Sequence, residues 1–181
     1  MIWWRRTPPA TTIDGLYGTI VAQARLPIFY TKYGVPDTVE GRFEMIVLHQ
    51  ALATRCLARA TTASRFGAIL FDRFCCDLDH NLREMGVGDL TIPKRMRTFA
   101  EAYFGRARAY DQALTARDGE ACALALTRNV YGTATVCEGA RRLARYVEHA
   151  ARQLDALDAA ALTGGQLRFP DPNAVPEAIA A

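Results

Sequence analysis

The chain has 181 residues, half of them hydrophobic, and a formal charge of +3. That length suits one domain able to bury a core without disulfides or metal. The charge is mild, and acids are interspersed with arginines as in Asp72-Arg73 and Arg117-Asp118, which describes a solvated surface and not a nucleic-acid footprint.

The N-terminus, Met1-Ile2-Trp3-Trp4-Arg5-Arg6 before Thr7-Pro8-Pro9, lacks the apolar stretch of a signal peptide. It reads as a flexible tail over residues 1–12, although the Trp pair beside an Arg pair also suits weak contact with a bilayer surface. Nowhere do about 18 uncharged apolar residues follow one another, so no membrane span is expected. A helical domain is predicted over residues 13–163 and a second flexible tail over 164–181, which holds Pro170, Pro172 and Pro176.

Within that domain the first helix is expected at 14–24, stopped by Pro27. A connection over 26–36 follows. It exceeds the usual helix-to-helix loop of about 2–8 residues and is rich in rings (Phe29, Tyr30, Tyr33). Asp37-Thr38-Val39-Glu40 reads as a capping box with Asp37 as the acceptor, opening a helix striped by Phe43, Ile46, Val47, Ala51 and Leu57. Thr61, Thr62 and Ser64 start a third helix, carrying Phe66, Leu70, Phe74, Leu78 and Leu82 at four-residue spacing and stopped by Gly86 and Gly88. Thr91-Ile92-Pro93 opens the fourth, with proline in the first turn and a stripe of Met96, Phe99, Tyr103, Ala107, Tyr110 and Leu114. After the break at Arg117-Asp118-Gly119 comes a shorter helix at 120–131. Thr135 with Glu138 reads as a capping box for a last long helix, ended by Gly164-Gly165. Such stripes are buried by packing helices on each other, giving an all-α fold: an irregular bundle of five or six helices.

Residues that could carry chemistry are sparse. His49, His80 and His149 fall on different helices, and only His80 has acids at helical spacing, Asp77 and Glu84. That trio would need further ligands to hold a metal and reads more simply as a polar face. Asp77-Leu78-Asp79-His80-Asn81 opens like a calcium loop, but Leu82 and Gly88 replace its glycine and its bidentate acid. Five cysteines (Cys56, Cys75, Cys76, Cys122, Cys137) form no C-x-x-C pair, and a reducing compartment is expected. No phosphate-binding loop or nucleophile elbow is present. Metal, cofactor and catalytic residues are all expected to be absent. The segment 77–89 stands out for the charges Asp77, Asp79, Arg83, Glu84 and Asp89 around an apolar stripe, with Lys94, Arg95 and Arg97 following. These read either as ion pairs between two helices or as the rim of a groove that holds a partner.

Three blocks in order resemble the ubiquinol–cytochrome c chaperone family. The first is Tyr30-Thr31-Lys32-Tyr33-Gly34-Val35-Pro36-Asp37-Thr38 with Gly41-Arg42-Phe43-Glu44 and His49; the second is Asp77-Leu78-Asp79 with Asn81-Leu82-Arg83-Glu84-Met85-Gly86-Val87-Gly88-Asp89; the third is Lys94 with Tyr103-Phe104-Gly105-Arg106 and Tyr110. The resemblance implies an assembly factor for the respiratory ubiquinol–cytochrome c reductase, binding cytochrome b or an early intermediate. Mitochondrial members work with a small partner protein and associate with the ribosome. The chain is similar to the shorter bacterial branch, with no room before residue 13 for a mitochondrial targeting extension and with action expected in the cytoplasm, peripheral to the inner face of the membrane.

Phe29, Tyr30, Tyr33, Asp37, Arg42, Asp77, Asp79, Arg83, Asp89, Lys94 and Arg106 are the expected partner contacts, with Phe29 and Tyr30 offering apolar surface and Asp79 and Arg83 a charged rim. Two other readings stay open: a helical enzyme with a site formed from separated helices, and a peripheral lipid-binding protein.

Overall fold

Apolar residues three and four apart leave one face of a helix dry, and the segments striped in this way are the segments that fold as long helices. The computed structural model describes residues 9–60 and 64–175. They form α1 (Ala10–Ala24), α2 (Pro27–Thr31), α3 (Val39–Arg59), α4 (Ser64–Glu84), α5 (Ile92–Ala116), α6 (Gly119–Asn129), α7 (Glu138–Asp155) and α8 (Ala159–Thr163). Six are long, two are single turns, and no strand occurs among the described residues. None of these helices is long and apolar enough to cross a membrane.

Several expected boundaries move. Helix α1 begins at Ala10, so the anticipated tail does not extend to residue 12, and Trp3 and Trp4 lie outside the described residues. So do Thr61 and Thr62. The connection over 26–36 contains α2, opened by Pro27 in its first turn. Thr38, not Asp37, caps α3, accepting from the Gly41 amide at 3.1 Å, while Asp37 turns to Arg42 at 2.6 Å. Helix α7 has Cys137 and not Thr135 at its N-cap, without a side-chain cap, and Glu138 accepts from Arg145. The stop after α4 is as expected. Gly86 takes a left-handed φ of 79°, and the amides of Gly86 and Val87 return to the carbonyls of Arg83 and Leu82, a Schellman ending.

Helix α3 is the hub, packed on α1, α4, α5 and α7. Its middle is enclosed: Met45, Leu48, His49, Gln50, Leu52 and Ala53 are all buried. His49 Nδ1 lies 2.7 Å from the Met45 carbonyl, which can only accept, so Nδ1 carries the proton. Nε2 then accepts from the Tyr146 hydroxyl at 2.9 Å. That hydroxyl in turn accepts from Gln23 Nε2 at 3.0 Å. Phe29 packs edge-on against both His49 and Tyr146, at 5.4 and 4.9 Å between centroids.

The C-terminal segment is the largest departure from expectation. Residues 164–175 are not a free tail but a strap across this knot. Leu167 is buried, and Phe169 stands edge-on to His49 at 5.0 Å. Gln23 donates to the Pro170 carbonyl at 3.0 Å and the Tyr33 hydroxyl to that of Pro172 at 2.7 Å. Prolines that forbid a helix leave carbonyls free to accept from neighbours. On the same side, the chain at 33–36 is pressed so closely on α3 and α7 that a Cβ at Gly41 would sit 2.0 Å from the Pro36 oxygen, and one at Gly139 would sit 2.4 Å from that of Tyr33.

Burial holds His49 neutral, its pKa lowered from 6.5 to about 4. The unfolded chain takes up this proton below about pH 6.5 and the folded chain only near pH 4. The stability carried by His49 is therefore complete above pH 6.5 and falls as pH drops toward 4, by about 3 kcal/mol in all. Urea unfolding of the wild type and His49→Gln between pH 7 and 4.5 measures this: the wild type should lose stability more steeply by up to that amount.

Candidate functional site

Between α3 and the first half of α5 lies a groove of about 510 Å³, lined by Phe43, Thr91, Lys94, Arg95, Thr98, Phe99, Ala102 and Arg106. Its floor is aromatic. Phe43 and Phe99 meet edge-on at 5.6 Å, and Phe74 backs both at 6.1 and 5.3 Å. From there rings continue through Tyr103 and Phe71 to Phe104, which is 58% exposed. The groove exists because α3 and α5 turn residues of the same stripes toward each other, while Phe43 and Phe99 at the edge of those stripes are only half-covered.

The rim is basic. Arg106 forms a two-pronged pair with Glu44, at 2.9 Å from Nε and 2.7 Å from the terminal nitrogen. Burial pushes the Glu44 carboxyl above the ordinary range, with Arg106 pulling the other way. Lys94 and Arg95 have no carboxylate partner among the described residues. Their charge therefore faces the groove and solvent unneutralised. Just before them, Leu90 is 98% exposed and Met85 74% exposed, an unusual concentration of bare apolar side chains beside cations.

Of the residues expected to contact a partner, the structure brings only Lys94 and Arg106 to this groove. Phe29 and Tyr33 are core residues, 0% and 3% exposed, which removes them as binding surface. The connection that holds them is covered by α7 and the strap, and an isolated sequence cannot reveal that cover. Tyr30 is half-buried, donating its hydroxyl to the Ala24 carbonyl at 2.8 Å, with the Arg42 guanidinium 5.9 Å from its ring centre. Arg42 and Asp37 form an exposed pair that keeps the Asp37 carboxyl below its usual range.

Asp77 is engaged inward. It accepts from the Tyr17 hydroxyl at 2.8 Å and lies 3.7 Å from Arg73, tying α4 to α1. Asp79, Arg83 and Asp89 form an exposed cluster at the end of α4, with Arg83 bonding Asp79 at 2.7 Å and also Asp89. Asp77 thus ties α4 to α1 through a tyrosine hydroxyl and not to the following helix through an ion pair, while the Arg83 cluster is exposed at the turn that leads to the groove. His80 pairs with Glu84 at 3.2 Å while Asp77 faces α1, so those three do not gather. Among the described residues no group of His, Cys, Asp or Glu could hold a metal. All five cysteines are unpaired, and burial raises the thiols of Cys56 to about 11 and Cys122 to about 12.

Sequence reading missed Phe43 and Phe99 as groove floor because a half-buried ring and a fully buried one look alike in a stripe. The cue was present in Lys94 and Arg95, two cations one turn ahead of Phe99 with no acid nearby in α5.

Residues 31–169 match the family described as ubiquinol-cytochrome C chaperone. A Xenopus laevis protein, ubiquinol-cytochrome-c reductase complex assembly factor 1, is 26% identical over 152 residues, which span 79% of this chain and 70% of that protein. The crystal structure of the Cbp3 homolog from Brucella abortus is similar with a TM-score of 0.83 and 36% identity, covering 92% of each chain.

If Phe29 is core and not contact surface, Phe29→Ala should cost about 3–5 kcal/mol of stability, whereas Lys94→Gln with Arg95→Gln should stay within about 0.5 kcal/mol of wild type. Guanidinium unfolding midpoints distinguish the two.

Proposed function

The chain belongs to the ubiquinol-cytochrome c chaperone family, and we propose that it holds cytochrome b, or an early intermediate containing it, while the respiratory ubiquinol–cytochrome c reductase is assembled. The observation that carries this reading is the groove over Phe43 and Phe99 with its basic rim. A nascent membrane protein exposes apolar helices that need temporary cover, and a groove of this kind takes the apolar face of a helix as its ligand. Rings supply contact area at small entropic cost. Lys94 and Arg95 favour an acidic residue or an acidic headgroup next to that face and discourage a basic one, which gives direction as well as affinity.

The chain acts as a binding protein and not as an enzyme. It works in the cytoplasm at the inner face of the membrane, with Met85 and Leu90 beside Lys94 and Arg95 suited to lie against the interface where its client emerges. The Arg83 cluster and the Asp37–Arg42 pair flank this end and contribute secondary contacts. A small partner protein or the ribosome could share the client without occupying the groove.

Removing the gene should lower the amount of assembled ubiquinol–cytochrome c reductase several-fold, measured by native electrophoresis and cytochrome b absorbance. Restoring it as Lys94→Glu with Arg95→Glu, a variant whose fold is checked by circular dichroism, should leave the deficit in place. Full assembly with that variant would remove the groove from the account, and full assembly without the gene would remove the function.

A further inference from the structure

At the other end of α5 a second cleft opens, and its chemistry differs from the groove. We propose that this cleft, of about 590 Å³ and lined by Arg55, Arg59, Arg117, Arg152, Gly119 and Glu148 among others, binds an oxyanion of the phosphate class. It lies where the ends of α3 and α5 meet the start of α6 and the second half of α7. Lys94 and Arg117 are separated along one helix by about 35 Å, so the two sites are distinct and this proposal does not rest on the client groove.

The four guanidinium groups are not equivalent. Arg55, only 12% exposed, is held in place: it bonds Asp111 at 2.9 Å through Nε and both oxygens of Asp155 at 2.9 Å through one terminal nitrogen. It forms a fixed wall. Arg59 lies 3.8 Å from Asp155, too far for a hydrogen bond. Arg117 and Arg152 have no carboxylate within ion-pair distance among the described residues. Against the four cations stand three carboxylates, Asp155 and Glu148 in the lining and Asp111 on Arg55, leaving a net positive charge inside a concave site where field lines concentrate. A guanidinium fork matches the paired oxygens of a phosphate better than it matches chloride or water.

Two local features strengthen this. Arg117 has a φ of 54°, the one left-handed non-glycine backbone among the described residues. An arginine holds this backbone at a position where glycine is usual. Next to it, a Cβ on Gly119 would fall 2.9 Å from Glu148 Oε1. The Glu148 carboxylate therefore stands against the start of α6, where helix geometry favours negative charge. Glu148 occupies the position that an external anion would compete for.

Phosphorus NMR titration of the full chain with inorganic phosphate, at constant ionic strength set with chloride, tests the assignment. Saturable binding is expected. Arg117→Gln with Arg152→Gln should weaken it at least about tenfold, as expected for losing charge-assisted hydrogen bonds. Glu148→Gln should tighten it, and Lys94→Gln with Arg95→Gln should leave it unchanged. If the double arginine variant does not fold, Arg152→Lys, which keeps the charge and loses the fork, should still weaken binding. Flotation with phosphatidic acid vesicles separates the sources. Recruitment that depends on Arg117 and Arg152 assigns the phosphate to a lipid headgroup, and phosphate binding without recruitment assigns it to a soluble ligand. No saturable binding, or equal affinity in wild type and the arginine variants, overturns the site.

Discussion

Helix α3 runs through the interior with neighbours on four sides, so whatever polar group it carries there must be matched from other parts of the chain. His49 sets the hardest condition. Fully buried and neutral, it donates to its own helix and accepts from Tyr146 on α7, and Tyr146 is held in turn by Gln23 on α1. Three helices from distant parts of the sequence are thereby fixed in register by one chain of hydrogen bonds, in an environment where an unmatched partner costs about 1–3 kcal/mol. The strap over 164–175 closes the same knot from outside, with Phe169 on the imidazole and the Pro170 carbonyl on Gln23. Not every interior atom is so well served: among the described residues the buried Gln50 Oε1 and Arg145 Nε have no hydrogen-bond partner, although the Gln50 amide nitrogen reaches Thr54 at 3.4 Å.

This rigid half of the molecule explains why the other half can present open surface. With α1, α7 and the strap committed to the part of α3 around His49, Phe43 in its first turns and Phe99 near the start of α5 are only partly covered among the described residues. Phe43 and Phe99 stay half-exposed on a floor braced by Phe74, and the Glu44–Arg106 pair anchors the far edge. A groove on rigid helices keeps its shape without a ligand, which lowers the entropic cost of capturing one. Helical rigidity and an incompletely covered stripe are together the features on which the proposed client binding rests.

Much of the fold was legible in the sequence because helical periodicity is a local property. The stripes through Ala51, Phe74 and Tyr103 predict the long helices, and Gly86 predicts where one ends. Caps were less legible: Asp37 and Thr38 are both good acceptors, and the choice between them depends on Arg42 drawing Asp37 away. The strap was read as a tail because its prolines exclude a helix, while Leu167 and Phe169 reveal their role only once α1 and α7 are in place. The candidate site was legible in Lys94 and Arg106. It was misread at Phe29 and Tyr33, since rings in a loop look like surface until the tertiary cover is known.

The central claim is that client protein lies in the groove over Phe43 and Phe99. Placing a photoreactive amino acid at Ala102, within the groove, or at Asp111, further along α5, and irradiating living cells during assembly measures it directly. The account predicts a covalent adduct with cytochrome b from position 102 and none from 111. Adducts from 111 alone, or from neither position while the protein still supports assembly, would contradict it.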